Sequence, residues 1–240
     1  MKKVLIALLF ISLCATSCDF VGGRRIRGNG VIKSEARTAG TFQRIDASGN
    51  VKVYIKQDSA YSVRVETDEN LLSYVIVEND NGSLKVHEKN NVRLRPTISV
   101  KVYVTGPSVR EFEVSGASDL VSENTITSNE VIAIHGSGAA DIKMTVNAPK
   151  VTADLSGAVG ITLKGQTKDF KVDGSGSTNI NCFELLAENT SIGLSGAGDA
   201  DVFASVKLDV DVSGAADIRY KGEAVVNKSI SGAGSVRKVQ

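Results

Sequence analysis

Apolar and polar residues alternate one by one through most of this chain. Ile132 and Ile134 are flanked by Val131, Ala133 and His135, and Ile142, Met144 and Val146 are separated by Lys143 and Thr145. Leu208, Val210 and Val212 alternate with Asp209 and Asp211. A period of two marks a strand with one buried face. The strands are punctuated by a recurring corner. It begins at Ser115-Gly116-Ala117 and continues at Ser137-Gly138, Ser156-Gly157, Ser175-Gly176, Ser195-Gly196, Ser213-Gly214 and Ser231-Gly232. Successive glycines stand 22, 19, 19, 20, 18 and 18 residues apart. Each unit therefore reads strand, corner, strand, polar return. One unit cannot bury its apolar face alone, but stacked units share a continuous core. The pattern predicts an all-β parallel β-solenoid of about 18–22 residues per repeat. Small residues suit a corner that stacks on itself, and serine hydroxyls are expected to satisfy the corner amides.

Residues 42–112 alternate less regularly. Strand-like runs stand at Val51–Ile55, Ser62–Glu66, Tyr74–Glu78, Ser83–His87 and Ile98–Val104, and Ser48-Gly49-Asn50 is an early copy of the corner. Asp80-Asn81-Gly82 predicts a hairpin between two of these runs. Asn70–Val75 is the one stretch that suits a short helical turn. The solenoid is thus read as two-lobed: an irregular lobe over 42–112 and a regular lobe over 113–240, divided near Thr105-Gly106-Pro107.

The start of the chain has another pattern. Lys2 and Lys3 precede an apolar run from Val4 to Ala15, followed by Thr16, Ser17 and Cys18. The run is too short for a bilayer, which needs roughly 20 apolar residues. It is read as a cleaved signal over residues 1–17. Small residues before a cysteine make Cys18 the expected lipidated first residue of the mature protein. Residues 18–41 then provide the lipidated cysteine, a tether and a first strand, with Arg24-Arg25 inside the tether. Membrane attachment would run through the lipid alone.

Removing residues 1–17 takes away two lysines and no acid, leaving a net charge of −1. That balance argues against a nucleic-acid partner, which wants a basic face. Cys14 leaves with the signal and Cys18 takes lipid, so Cys182 has no intramolecular partner and is read as a small core residue. His87 and His135 lie far apart in strand-like runs, and both are read as structural. No metalloprotease, Cys-x-x-Cys or phosphate-loop motif is present, and no cofactor is expected. In register, Asp119 would stack on Asp141, followed by Gly160 and Asn179, then Asp199, Asp217 and Ser235. These carboxylates are expected to accept corner amides. The alternative is calcium, for which Asp199, Asp201 and Asp217 are the candidates. No catalytic residue stands out. The chain has no Trp, and sugar-cleaving sites usually want aromatic platforms beside paired acids.

Several features, taken in order, resemble the head GIN domain family, which carries the label of auto-transporter adhesin. They are Gly28-Asn29-Gly30, Phe42-Gln43-Arg44-Ile45 leading into Ser48-Gly49, and Asp68-Glu69-Asn70-Leu71-Leu72. Asn81-Gly82-Ser83-Leu84-Lys85-Val86 and the serial Ser-Gly corners complete the set, which spans roughly residues 28–240. The resemblance implies a two-lobed, right-handed β-helix on an envelope protein.

Together these readings predict a non-enzymatic, lipid-anchored binding or adhesion module of the outer membrane. It would sit at the cell surface or on the periplasmic face, with a protein or glycan ligand. The rivals are an envelope assembly protein that forms homo-oligomers through its solenoid end, and a carbohydrate-active β-helix enzyme.

Overall fold

A computed structural model describes residues 23–240. The signal segment and Cys18 lie outside the described residues. The regular coils follow from the alternation. Strand β3 (Arg44–Ala47) meets β4 (Val51–Gln57) at the Ser48-Gly49 corner, and β10 (Glu111–Val114) meets β11 (Asp119–Thr127) at Ser115-Gly116. Strand β12 (Ile132–Gly138) leads into β13 (Asp141–Cys182), β14 (Leu185–Phe203) and β15 (Lys207–Lys221), each of which runs through one or more corners. The last coil is β16 (Val225–Gly232) and β17 (Ser235–Lys238). Pairing is parallel throughout this stack.

In-register pairing puts every second side chain into a column along the solenoid axis. Before the corner, Ile45, Phe112 and Ile134 form such a column, all 0 % exposed. After it, Val53, Leu120 and Ile142 do the same. Each such side chain contributes about 1.5–3 kcal/mol by leaving water. Bulk is matched between coils. Gly136 pairs with Leu155, and a Cβ on Gly136 would lie 3.1 Å from the Leu155 Cδ2. Gly174 pairs with Leu194, whose Cδ2 would lie 2.7 Å from an added Cβ. A leucine in one coil thus fills the space that a glycine leaves in the next.

The corner glycines form an uninterrupted ladder: Gly49, Gly116, Gly138, Gly157, Gly176, Gly196, Gly214 and Gly232, all with positive φ. A Cβ at any rung from Gly116 onward would press on the carbonyl oxygen of the preceding rung. The corner amides donate to those same carbonyls: Ala117 N–H to Gly49 O and Ala139 N–H to Gly116 O, both 2.7 Å. The sequence assigned that task to the serine hydroxyls. The carbonyls of the preceding coil perform it instead, because close glycine stacking brings them within reach.

The coils do not follow the chain at the first end. Strands β7 (Ser83–Glu88) and β9 (Val100–Gly106) pair with β3 and β4 on the side away from β10 and β11. Residues 83–106 therefore form the outer coil, and 44–57 lies between it and 111–127. The chain crosses back near Pro107, inside the stretch read as the lobe boundary. Gln57 pins the crossing, since its side-chain amide donates to Pro107 O at 2.8 Å and Thr127 O at 2.9 Å. Strand β5 (Ser62–Asp68) runs antiparallel on β9, β2 (Ile32–Arg37) antiparallel on β5, and β6 (Val75–Asp80) antiparallel on β7. These strands cap the outer coil, and the hairpin lies at the predicted turn, with Asn81 at φ 51 and Gly82 at φ 84. A 3-10 helix over Glu69–Tyr74 supplies the expected helical turn.

Residues 24–30, read from the sequence as tether, are held firmly. Strand β1 (Arg24–Arg27) pairs in parallel with β8 (Val92–Arg95). The Gly28-Asn29-Gly30 loop is locked onto Asp68 and Asn70. Asp68, fully buried, accepts from Gly30 N–H at 2.7 Å, Thr97 N–H at 2.8 Å and Thr97 Oγ1 at 2.7 Å. The Asn70 side chain accepts from Asn29 N–H at 3.0 Å and donates to Arg27 O at 2.8 Å. Two separate motifs of the sequence are therefore halves of one lock. Among the described residues, no helix is long and apolar enough to cross a membrane.

Candidate binding groove

Outward positions also stack in columns, and two of them line a groove of about 650 Å³ along the solenoid. One column is serine: Ser137, Ser156, Ser175, Ser195 and Ser213. Parallel register sets Ser137 beside Ser156, and Ser175 beside Ser195 beside Ser213. The second column, two residues earlier, is mostly acidic: Glu113, His135, Asp154, Asp173, Gly193 and Asp211. The columns arise because a two-residue strand period and a fixed corner return the same outward position to the same place in every coil.

The corner amides bond elsewhere, so the serine hydroxyls of the groove find no protein hydrogen-bond partner among the described residues. The acids differ from coil to coil. His135 Nδ1 lies 3.3 Å from Asp154 Oδ2. Lys171 Nζ lies 2.6 Å from Asp173 Oδ2, and hydrogen bonding to that carboxylate raises the lysine pKa. Gly193 leaves a notch in the acidic column, over which the Asp173 carboxylate leans, 2.5 Å from where a Cβ would stand. Asp211 and Glu113 have no ion pair among the described residues. Chemically, the groove offers hydroxyls at a repeat of about 4.8 Å beside an excess of negative charge. That arrangement suits an extended ligand that presents hydrogen-bond donors at regular intervals.

The other residues singled out in the sequence lie outside this groove, His135 excepted. Asp119 stacks on Asp141, and Asn179 on Asp199, Asp217 and Ser235, in the register read from the sequence. Asp119 is matched by Lys52 Nζ at 3.6 Å, and Asp217 accepts from Ser235 Oγ at 2.6 Å. Asp119 and Asp217 thus meet side chains and not corner amides. Of the calcium candidates, Asp201 is nearly buried and both its oxygens are taken by Arg219, with Nε and Nη2 each at 2.6 Å. A guanidinium thus occupies the position that a cation would need. Asp199 and Asp217 remain as neighbours in one column, and no group of three ligating side chains forms among the described residues. His87 Nδ1 contacts Glu88 O at 2.8 Å, away from the groove. Cys182 is fully buried, which pushes its thiol pKa up to about 12.

The pattern that defines one protein family, described as putative auto-transporter adhesin, head GIN domain, matches residues 41–224. The chain belongs to the head GIN domain family. Solved structures share its fold. An adhesin-like protein of Bacteroides fragilis superposes with a TM-score of 0.84 at 20 % identity, covering 89 % of this chain and 100 % of that one. A Parabacteroides distasonis protein described as lipid binding gives 0.72 at 24 % identity, covering 90 % and 100 %. A second protein of that organism, described as a putative adhesin, gives 0.66 at 23 % identity with the same coverage. Comparison with curated proteins returns no match. The groove of this head GIN domain was not legible from its corners, because the serines looked like part of the turn chemistry. The signal that would have found it is the outward column two residues before each serine.

Proposed function

We propose that this head GIN domain is a lipid-anchored, non-enzymatic binding and adhesion module of the bacterial cell envelope, and that the serine-lined groove is its contact surface. The observation that carries this reading is the repetition of the groove. The same hydroxyl recurs at each coil, without a protein partner, beside acids that differ from coil to coil. A reaction centre would hydrogen-bond one serine to a base; among the described residues no groove serine makes such a bond, although His135 stands in the same row, and a repeated row spreads contact along a ligand. The adhesin label of the family and of its structural relatives supports the same class of role. Lipidation of Cys18 would hold the module at the membrane. Assembly through the solenoid end is less well supported. Lys228, in register with the buried Val210, puts an amine into the row that a stacking partner would cover, a common device against edge pairing.

Two measurements test the proposal. Protease added to intact cells should remove the protein while a periplasmic control survives; protection would overturn a surface role. Glycan and peptide arrays should then yield a ligand whose binding falls when Ser175→Gln and Ser195→Gln fill the groove. A ligand bound equally well by that variant would move the contact elsewhere.

A further inference from the structure

Strands β1 and β8 form a two-stranded parallel ribbon, separate from the main sheet. Its register sets Arg25 beside Arg93 and Arg27 beside Arg95, while Ile26 faces the buried Leu94. Alternation sends Ile26, Val92 and Leu94 inward and leaves Arg25, Arg27, Arg93 and Arg95 together on the exposed outer face. Like charges directly opposite one another weaken a strand pair. Among the described residues, Arg25, Arg27 and Arg95 have no acidic partner. The patch is unlike the rest of a mature chain whose net charge is −1.

The position of the patch supplies a use for it. Six residue steps separate Cys18 from Arg24, a distance of at most about 20 Å when fully extended. Asp19 is the only acid in that interval, and Phe20 and Val21 are apolar. The lock at Asp68 and Asn70 begins directly after Arg27 and fixes the ribbon to the capped end of the solenoid. We infer that the arginine face of this ribbon docks on the anionic surface of a lipid bilayer, with guanidinium groups on lipid phosphates. A basic patch beside a lipid anchor adds electrostatic attraction to anionic lipids and gives the contact an orientation. The lock also makes the contact directional, because a ribbon flat on the membrane sets the angle at which the solenoid leaves it.

This inference uses the lipid-anchor reading to place the ribbon near a membrane, and its test is independent of that anchor. The mature chain with Cys18→Ser is sedimented with vesicles of phosphatidylcholine, with and without phosphatidylglycerol. Binding is expected only with phosphatidylglycerol, and it is expected to fall in high salt, which screens exposed charges. Each arginine near such a surface contributes about fivefold in affinity, so Arg25→Gln with Arg27→Gln should weaken binding about 25-fold. Arg95→Gln on the partner strand should weaken it about fivefold, with circular dichroism confirming that both variants fold. Equal binding to both vesicles, no binding, or full binding by both variants would overturn the inference. So would abolition of vesicle binding by millimolar inorganic phosphate at constant ionic strength, which would mark a discrete anion site. Labelled palmitate incorporation into the full chain, abolished by Cys18→Ser, reports separately on the anchor.

Discussion

Replacing Gly157 by alanine tests the stacking argument, because Gly82 provides a matched control. The two glycines have nearly the same backbone, φ 93 and φ 84. An alanine in this region costs about 1–2 kcal/mol at either site. Their surroundings differ. Nothing lies within 4 Å of a Cβ on Gly82, whereas a Cβ on Gly157 would stand 2.6 Å from Gly138 O and 3.2 Å from Gly138 N. Those atoms are backbone of the preceding coil and cannot swing away. The coils must separate, which adds an overpacking cost of about 1–3 kcal/mol and weakens a corner hydrogen bond worth about 1 kcal/mol. Gly157→Ala should therefore lose about 3–6 kcal/mol and Gly82→Ala about 1–2 kcal/mol. Urea unfolding followed by circular dichroism measures both, and hydrogen exchange should show the Gly157 loss concentrated in the coils around residues 138 and 157. Equal losses at the two sites would refute the reasoning, since only the φ penalty would then be operating.

Other outcomes follow from the same packing and hydrogen bonds. Burial pushes the Asp68 carboxyl up, but donors from Thr97 and Gly30 outweigh it and hold its pKa below the usual carboxylate value. The stability it contributes is therefore present above its unfolded pKa of about 3.9 and is lost as pH falls through the lower folded value. Asp68→Asn should cost about 2–3 kcal/mol at neutral pH and flatten the acid limb of a stability–pH curve; an unchanged limb would contradict this. Arg219→Ala should cost about 1–2 kcal/mol, less than a fully buried pair because Arg219 is half-exposed. Calcium or a chelator should leave the melting temperature of the native protein unmoved, and a rise with calcium would favour the metal reading. Cys182 should resist iodoacetamide at pH 8 and be labelled only after unfolding, as mass spectrometry would show.

The corners and the alternation made the regular coils legible, because each coil repeats one local code. Strands 51–57, 62–68, 75–80, 83–88 and 100–106 were also readable, as was the hairpin at Asn81-Gly82. The order of the first coils was not. The distance of 67 residues between Gly49 and Gly116 hides the fact that they are adjacent rungs, since periodicity reveals the unit and not which units touch. The partner of Asp201 was within reach. A pairing one coil away is a sequence step of 18–20 residues here, and Arg219 stands 18 residues on. Judging Asp201 by its neighbour Asp199 grouped residues along one strand, when the forces act across strands. The Asp68 lock depends on three segments, residues 28–30, 68–70 and 97, and no local pattern could announce it.

The displaced first coil also bears on the sequence of events during folding. A polypeptide made from its N-terminus presents residues 44–57 early, yet both faces of that coil are completed only by segments that come later, 83–106 on one side and 111–127 on the other. Until about residue 106 has emerged, the apolar rows of Ile45 and Val53 have no neighbouring coil, and their second side waits for 111–127; closing them means joining distant parts of the chain, a slow kind of step. From there on, each new coil has a finished template directly beside it. In a chain that folds as it emerges, the irregular end is thus completed first, and the repeats that follow can extend it one short loop at a time.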